Sequence, residues 1–444
     1  MMGRYERYKP SALEWIGEIP EHWELLRLKY LALVQPSNVD KKTIENEASV
    51  LLCNYMDVYK NEFIDESINF MEATATDSEI EKFKIKNGDV LVTKDSETPD
   101  DIANPAFVKS YFENVICAYH LTQIRPNREK LLGEYLFRLF QEHRYKGQFE
   151  VNANGVTRFG LSVSAFSDVF VPLPSPEEQN AIANFLDEKT TQIDKLIANK
   201  QKLIELLKEE RTVIVNNAVT KGINSHVKLR PSGIEWLGEI PKHWELKKLK
   251  YVAKINPSKP SYEFEKSSED EIVFLPMEKV SENGDINQEL RRKIIDVSSG
   301  FTYFERDDVI VAKITPCFEN MKGALLDSLK TDFGFGSTEF HTLRADESVL
   351  PKFIFFITRT ERFLTIGEAF MTGSAGQKRV PTSFVENFLV GIPPKEEQKQ
   401  IIQRIETENR KIDNTISKIQ KEILLQEYRT ALISEVVTGK VKVI

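Results

Sequence analysis

The sequence predicts an α+β protein: two mixed α/β domains joined by two long antiparallel helices that form a coiled-coil spacer, the whole a pseudo-two-fold tandem repeat. Three observations carry this. Residues 10–30 (PSALEWIGEIPEHWELLRLKY) return as 231–251 (PSGIEWLGEIPKHWELKKLKY), identical at 15 of 21 positions with an offset of 221. A second box, VPLPSPEEQNAI at 171–182, returns as VGIPPKEEQKQI at 390–401 with an offset of 219. Each second box opens a long charged segment that no Pro or Gly interrupts until Gly222 or Gly439. Self-similarity at a fixed period marks tandem structural units.

The expected parts are a junction box over 1–23, a first domain over 24–174, a spacer helix over 175–220, the repeated box over 221–244, a second domain over 245–393 and a second spacer helix over 394–438. Within the first domain, 50–58 (VLLCNYMDV) and 89–94 (DVLVTK) read as strands, Asn87-Gly88 as a turn and 133–149 as a helix. The second domain repeats the order with EIVFLPM, DDVIVAKI and PKFIFFITRTERFL. Asp89 with Asp308, Lys94 with Lys313 and Arg125 with Arg344 keep the 219 offset through otherwise divergent sequence.

The helical segments place apolar residues at three- and four-residue steps: Ile182, Leu186, Ile193, Leu196, Leu203, Leu207 and Ile214, then Ile401, Ile405, Ile412, Ile416, Ile419, Ile423 and Ile433. A helix of about 40 residues extends about 60 Å, too far for its stripe to be buried in one small domain. Each helix therefore needs the other. Heptad spacing at Leu186, Ile193, Lys200, Leu207 and Ile214, and at Ile405, Ile412, Ile419, Gln426 and Ile433, suits a two-helix seam. Leu186, Ile193, Leu207, Ile405, Ile412 and Ile419 are its expected core, and Lys200 and Gln426 its polar register positions or partly solvated side chains.

Composition bounds the chemistry. The chain has 444 residues, 41% hydrophobic and 29% charged, with a net charge of −8. Acidic pairs such as Glu177-Glu178 and Glu396-Glu397 leave separate basic clusters, Lys247, Lys248 and Lys250, and Arg291, Arg292 and Lys293. The opening MMGRYERYKP lacks the apolar stretch of a secretory signal, and no run of 18 apolar residues occurs, so a cytoplasmic protein without membrane partners is expected. Cys53, Cys117 and Cys317 lack CxxC spacing and read as reduced thiols; the six histidines show no paired ligand spacing, so neither a metal nor a cofactor is expected.

Two sets of residues carry binding chemistry. Lys94 and Lys313 close matching apolar strands, where a cation emerges at a rim as a phosphate contact or a structural ion pair; the second strand runs on to Lys322. Near the end of each domain lies a Gly-containing polar stretch, Asn152 to Arg158 and Thr372 to Arg379, in which Thr157, Arg158, Gln377, Lys378 and Arg379 combine hydroxyl, amide and cationic groups. Arg suits guanine, Gln or Asn adenine, and Ser or Thr phosphate, although such stretches also serve as ordinary turns. Trp15, Trp23, Trp236, Trp244, His22 and His243 of the repeated box read as packing at a shared junction.

Enzyme motifs fail. Asn104-Pro-Ala-Phe107 approximates an amino-methyltransferase motif but lacks its second Pro and any upstream Gly-rich cofactor loop. Asp100 with Asp187, Glu188 and Lys189 makes a poor nuclease pattern, because the last three lie on the predicted helix. GxxxxGK[ST] is absent, so the chain supplies no phosphate loop of its own.

The repeated EWIGEIPEHWE and EWLGEIPKHWE, the boxes PLPSPEEQNAI and IPPKEEQKQI, and DVIVAKITPCFEN, GSTEFHTLR and GSAGQKRVPTSF together resemble type I restriction-modification specificity subunits over essentially the whole chain. The resemblance implies a non-catalytic subunit in which two target-recognition domains each read part of a split site in double-stranded DNA. It also implies that the helices fix the spacer and dock two copies of the modification (methyltransferase) subunit, and through them the restriction motor-nuclease subunit. Adenine-N6 methylation and ATP-dependent cleavage then belong to the assembled complex. Carried onto this sequence, the DNA contacts are Lys94, Thr157, Arg158, Lys313, Lys322, Gln377, Lys378 and Arg379. The first domain lacks the ITPCFEN and SAGQ segments of the second, so two different half-sites are implied. Three other readings stay open: the specificity subunit of another restriction-modification type, a chain with its own methyltransferase or nuclease activity, and a coiled-coil scaffold without DNA specificity.

Overall fold

The computed structural model describes residues 3–11, 13, 15–260, 269–374, 376–422 and 425–443, which form two compact units. The first comprises Met1–Lys200 with Lys421–Ile444, the second Gln201–Gln420. The division falls inside the long helical segments and not at their ends, so the C-terminal segment belongs to the first unit.

In the first unit a five-stranded sheet runs in the order Ala32–Pro36, Leu121–Pro126, Val90–Thr93, Pro105–Val108, Phe63–Ile64, antiparallel except for its last pair. Val90–Thr93 is buried along its length, which is why it reads as a continuous apolar run and not as an alternating one. A three-stranded sheet of Val115–Cys117, Ala48–Cys53 and Met71–Ala75 shares an apolar cluster with the five-stranded sheet through Val50, Leu52, Leu91 and Ala106. The expected strand over 50–58 is corrected. It ends at Cys53, and the helix Tyr55–Lys60 follows because the Asp57 carboxylate accepts the Asn54 backbone N–H at 2.7 Å in a capping box. The expected single helix over 133–149 is two, Gly133–Phe140 and His143–Glu150, divided where the Glu142 carboxylate accepts the Tyr145 N–H at 2.5 Å.

The second unit holds two four-stranded sheets, Ala253–Ile255, Phe340–Ala345, Val309–Ala312, Gly323–Leu325 and Arg291–Lys293, Glu271–Leu275, Phe333–Gly336, Thr302–Glu305, each in spatial order. Its segment 351–364 also divides, into Pro351–Thr358 and Glu361–Ala369, with Thr360 Oγ1 accepting the Phe363 N–H at 3.3 Å. In both units a short strand pair closes the domain: Glu24–Arg27 with Phe170–Leu173, and Glu245–Lys248 with Leu389–Ile392.

The helix Pro176–Lys221 runs for 46 residues, opened by Pro176 and the acidic pair Glu177 and Glu178 at its positive end. In the first unit Ile182, Leu186, Ile193 and Ile197 join one core with Leu432, Ile433, Val436 and Val437 of the helix Leu425–Val437. The two segments run antiparallel: Tyr135 Oη donates to Pro172 O at 2.7 Å and Val437 O at 3.3 Å, and farther along Arg429 Nε meets Asp194 at 3.0 Å. In the second unit Val215, Ala218 and Val219 join Ile401 and Ile405 of the helix Lys395–Glu422, and Arg211 pairs with Asp413. Leu186, Ile193, Ile405, Ile412 and Ile419 are buried, and Leu207 is half-buried. Leu196 and Leu203 are corrected: they are 42% and 44% exposed, and Ile197 takes the buried position, as a straight helix drifting about 20° per heptad requires. Gln426 is exposed and Lys200 half-buried; Ile423 lies outside the described residues.

Candidate nucleic-acid interface

Both units brace their central sheet in the same way. Buried Asp89, beside Val90–Thr93, accepts from Arg125 Nε at 2.8 Å, Arg125 Nη2 at 2.7 Å and Gln123 Nε2 at 2.8 Å. Buried Asp308 receives Arg344 Nε and Nη2, each at 2.8 Å. Bidentate geometry of this kind fixes orientation as well as charge. At the opposite strand end stand Lys94 and Lys313. The Lys94 N–H donates to His120 O at 3.1 Å, and Lys94 O accepts the Leu161 N–H at 2.8 Å. The Lys313 N–H donates to Glu339 O, and Lys313 O accepts the Val380 N–H, both at 2.8 Å.

The polar stretches close onto these rims as tight loops. Asn154 bridges Gly160, and Thr372 bridges Arg379. Gly155 and Gly373 have φ of 154° and 134°. A Cβ would meet the Arg158 carbonyl oxygen at 1.9 Å in the first and the Gln377 carbonyl oxygen at 2.5 Å in the second. Only glycine allows these closures.

On this shared frame the side chains differ. In the first unit Asp95 meets His120 Nδ1 at 2.7 Å and accepts from Arg158 Nη2 at 2.5 Å and Nε at 3.0 Å; the Asp95 hydrogen bonds raise the Arg158 pKa above its ordinary value. In the second unit Glu339 accepts Arg379 at 2.7, 3.0 and 3.1 Å, and the guanidinium holds the Glu339 carboxyl below its usual range. Beneath it, His341 Nε2 donates to Val380 O at 2.9 Å while Nδ1 faces Asn256 Nδ2 at 3.2 Å; burial lowers the His341 pKa. Thr315 Oγ1 donates to Gly376 O at 2.7 Å and accepts the Lys378 N–H at 3.0 Å.

The structure gathers Lys94 with Arg158, and Lys313 with Gln377, Lys378 and Arg379, but gives them unequal tasks. Lys94 is half-buried; its Nζ donates to Ser37 O at 2.8 Å and lies 4.3 Å from the Tyr119 ring centroid, and burial lowers its pKa. Arg158 and Arg379 are anchored by carboxylates. Lys322 Nζ reaches Met277 O at 3.4 Å, while its backbone O accepts the Ala312 N–H at 2.8 Å. Lys313 lines a cleft of about 450 Å³ with Asn256, Lys259, Ser298 and Phe301. Thr157, Gln377 and Lys378 are exposed and make no side-chain hydrogen bond among the described residues. His120, Glu339, His341 and Asn256 were missed in the sequence; the 219 offset places His120 opposite Glu339 but says nothing of their partners, and no such signal marks His341 or Asn256.

The rejected motifs have structural partners. Asn104 Oδ1 accepts from Lys146 Nζ at 2.5 Å, and Asp187 meets buried Arg138 at 2.6 Å. Among the described residues no His, Cys, Asp and Glu side chains gather as a metal site, and no helix is long and apolar enough to cross a membrane. His22 and His243 of the box pair with Glu178 and Glu397 at 2.9 and 2.7 Å, while Trp23 and Trp244 are buried.

The two α+β units thus share an Asp–Arg clamp and a glycine-closed loop while differing in the polar side chains at the rim. The family model for the type I restriction modification DNA specificity domain matches residues 20–208 and again 241–425. The chain belongs to this family, that of the HsdS specificity subunits. The EcoAI and EcoEI type I specificity subunits of Escherichia coli are 42% identical over 168 residues and 39% identical over 210, which is 37% and 46% of this chain. The matches span 28% and 34% of the length of those two relatives. The HsdS subunit of Thermoanaerobacter tengcongensis shares the fold, with a TM-score of 0.57 at 16% identity over 95% of this chain and 98% of that one.

Proposed function

We propose that this chain is the non-catalytic sequence-recognition subunit of a type I restriction-modification complex, reading a bipartite site in double-stranded DNA with one half-site per unit. The observation that carries this is the pair of rims. Equivalent strand ends, opposite the same Asp–Arg clamps, present Tyr119, Thr157 and Arg158 in one unit and Lys313, Gln377, Lys378 and Arg379 in the other. A common frame suits a common task, and unlike amide, hydroxyl and cationic groups suit unlike base edges. Lys94 and Lys322 complete the proposed contact set, with Lys94, Arg158 and Arg379 holding loops as much as touching DNA.

The two long helical segments act as an antiparallel coiled-coil spacer that sets the distance between half-sites and docks two modification subunits, through which the restriction motor-nuclease joins. Their antiparallel packing inside each unit supports this role. The chain works in the cytoplasm, where its DNA is. Adenine-N6 methylation and ATP-dependent cleavage are the work of the partners.

Methylome sequencing of a host with and without the gene tests the reading. A split adenine-methylation motif disappears when the gene is removed, and exchange of residues 24–170 alters one half-site only. Insertion of one heptad into a single helix disrupts assembly or changes the gap. Methylation or cleavage by the purified chain alone, or equal affinity for all duplexes in the presence of modification subunits, overturns it.

A further inference from the structure

Beside the short strand pair that closes each unit lies a cluster outside both rims. In the first unit Arg27 Nη1 and Lys29 Nζ converge on one oxygen of Asp168, at 3.0 and 2.8 Å. In the second unit the same places in the repeated box hold Lys248 and Lys250, and both ammonium groups converge on Asn387 Oδ1, at 3.2 and 3.3 Å. Each cluster is flanked by an exposed tyrosine: Lys29 lies 5.5 Å from the Tyr30 ring and Lys250 5.4 Å from the Tyr251 ring, and the tyrosines are 64% and 66% exposed.

The two clusters therefore differ by one negative charge. In the first, the single carboxylate offsets one of the two positive charges, and the cations hold the Asp168 carboxyl below its ordinary range, Lys29 chiefly. In the second, two like charges share a neutral amide oxygen, and neither ammonium is paired with a carboxylate among the described residues. An amide dipole offsets only part of that repulsion. A monoanion seated against both ammonium groups restores the balance that Asp168 provides in the other unit. The location fits: the helix Thr382–Asn387 starts beside the rim, where Asn256 Nδ2 reaches Thr382 Oγ1 at 3.4 Å, and five residues at 1.5 Å rise put Asn387 only about 7.5 Å further on.

We propose that Lys248, Lys250 and Asn387 form a phosphodiester-binding site that anchors the second unit to the nucleic-acid backbone, and that Asp168 largely disables the matching site of the first. This rests on the reading of the units as DNA-recognition modules. It makes the two units unequal in sequence-independent affinity as well as in the bases they read. Phosphate contacts position a protein without reading sequence, which suits the placing of the two cations in the repeated box, while the Asp168/Asn387 position just outside it sets their charge balance.

The test measures duplex binding by the full chain, assembled with its modification subunits, as a function of KCl. Each phosphate contact contributes about 0.9 to the slope of log K against log[salt]. Lys248→Gln with Lys250→Gln reduces the slope by about 1 to 2 and weakens all duplexes alike. Asn387→Asp reproduces about half of that change, and Asp168→Asn steepens the slope through the first unit. Asn387 Nδ2 also donates to Ser383 O at 2.8 Å, so the lysine pair, which leaves that bond intact, serves as the second variant should Asn387→Asp fold poorly. Methylphosphonate scanning finds one backbone position in the second half-site at which neutralising the phosphate costs the native complex affinity but not the double-lysine variant. Unchanged slopes with intact site-specific binding overturn the phosphate site and leave the recognition role standing. Loss of assembly with modification subunits at constant slope overturns it in favour of a protein contact, and absence of any site-specific binding by the unaltered complex removes both proposals.

Discussion

Replacement of Gln179 by alanine should unfasten the first domain from the helix Pro176–Lys221. The Gln179 side chain is fully buried, its Oε1 accepting the Leu132 N–H at 2.8 Å and its Nε2 donating to Lys130 O at 2.8 Å and Pro174 O at 3.0 Å. Truncation removes three neutral hydrogen bonds at about 1 kcal/mol each, and the N–H and carbonyl groups left behind in a buried setting raise the loss to about 3–5 kcal/mol. Gln179→Glu does no better, because a carboxylate would face two carbonyl oxygens and carry an unpaired charge into the interior. Gln398 makes the same fork in the second unit, to Leu350 N at 2.8 Å, Ser348 O at 3.1 Å and Pro393 O at 2.9 Å, so Gln398→Ala weakens that unit by a similar amount. A single melting temperature blurs two units. Hydrogen exchange over 130–135 and over 348–353, read with denaturant unfolding, assigns each loss to its own unit. A loss below about 1 kcal/mol, or unchanged protection in both segments, refutes the reasoning.

Acid should loosen the second rim before the first. The His341 pKa is lowered by burial, so below the ordinary value of about 6.5 the unfolded chain binds the proton more readily. The contribution is intact above about pH 6.5 and lost as pH falls beneath it, and His341→Gln flattens this part of a stability–pH profile. Glu339→Ala releases Arg379 and the loop it holds; discrimination at the second half-site falls by about tenfold, within the range for one base contact, while the first half-site is unaffected. Cys53 and Cys117, partners in strand register and both buried, have thiol pKa values raised by burial. A thiol-specific chromophore therefore reacts with Cys317 in the native chain and with all three cysteines only after denaturation.

What the sequence made legible was what recurs or has a period. Duplication exposed the boxes, the helices and the 219 offset, and that offset placed Asp89, Lys94 and Arg125 opposite Asp308, Lys313 and Arg344 before any contact was known. Local capping was harder to see. Asn54, Glu142 and Thr360 each divide a segment whose apolar pattern runs straight across the break, because one side-chain hydrogen bond decides the chain direction and leaves periodicity untouched. The partners of the rim cations were hidden for another reason. Arg158 finds Asp95 across 63 residues and Arg379 finds Glu339 across 40, distances over which a single sequence carries no pairing signal. The same holds for Arg138, whose carboxylate partner Asp187 lies on the long helix.

The EEQ triplet shows how these levels join. In each copy the first glutamate is exposed at the positive end of the helix, the second meets a box histidine, and the glutamine ties a domain turn to the hinge. The second and third of these side chains thus tie the helix to box and domain, and neither can be changed alone without freeing a joint. In the rim loops the structural duty falls on the glycines, the anchored arginine and, in the first loop, Asn152, Ala153 and Asn154, which leaves exposed Thr157, Gln377 and Lys378 to vary at little cost to the fold. On the proposed reading, constraint at the joints and freedom at the rims is the division that would let one frame carry two different recognition surfaces. It also predicts where a third could be grafted: within 152–158 or 372–379, with Gly155 or Gly373 kept in place. A graft that keeps the glycine and the Arg–carboxylate anchor should preserve folding while changing one half-site; one that removes either should lose binding at that half-site before it gains a new preference.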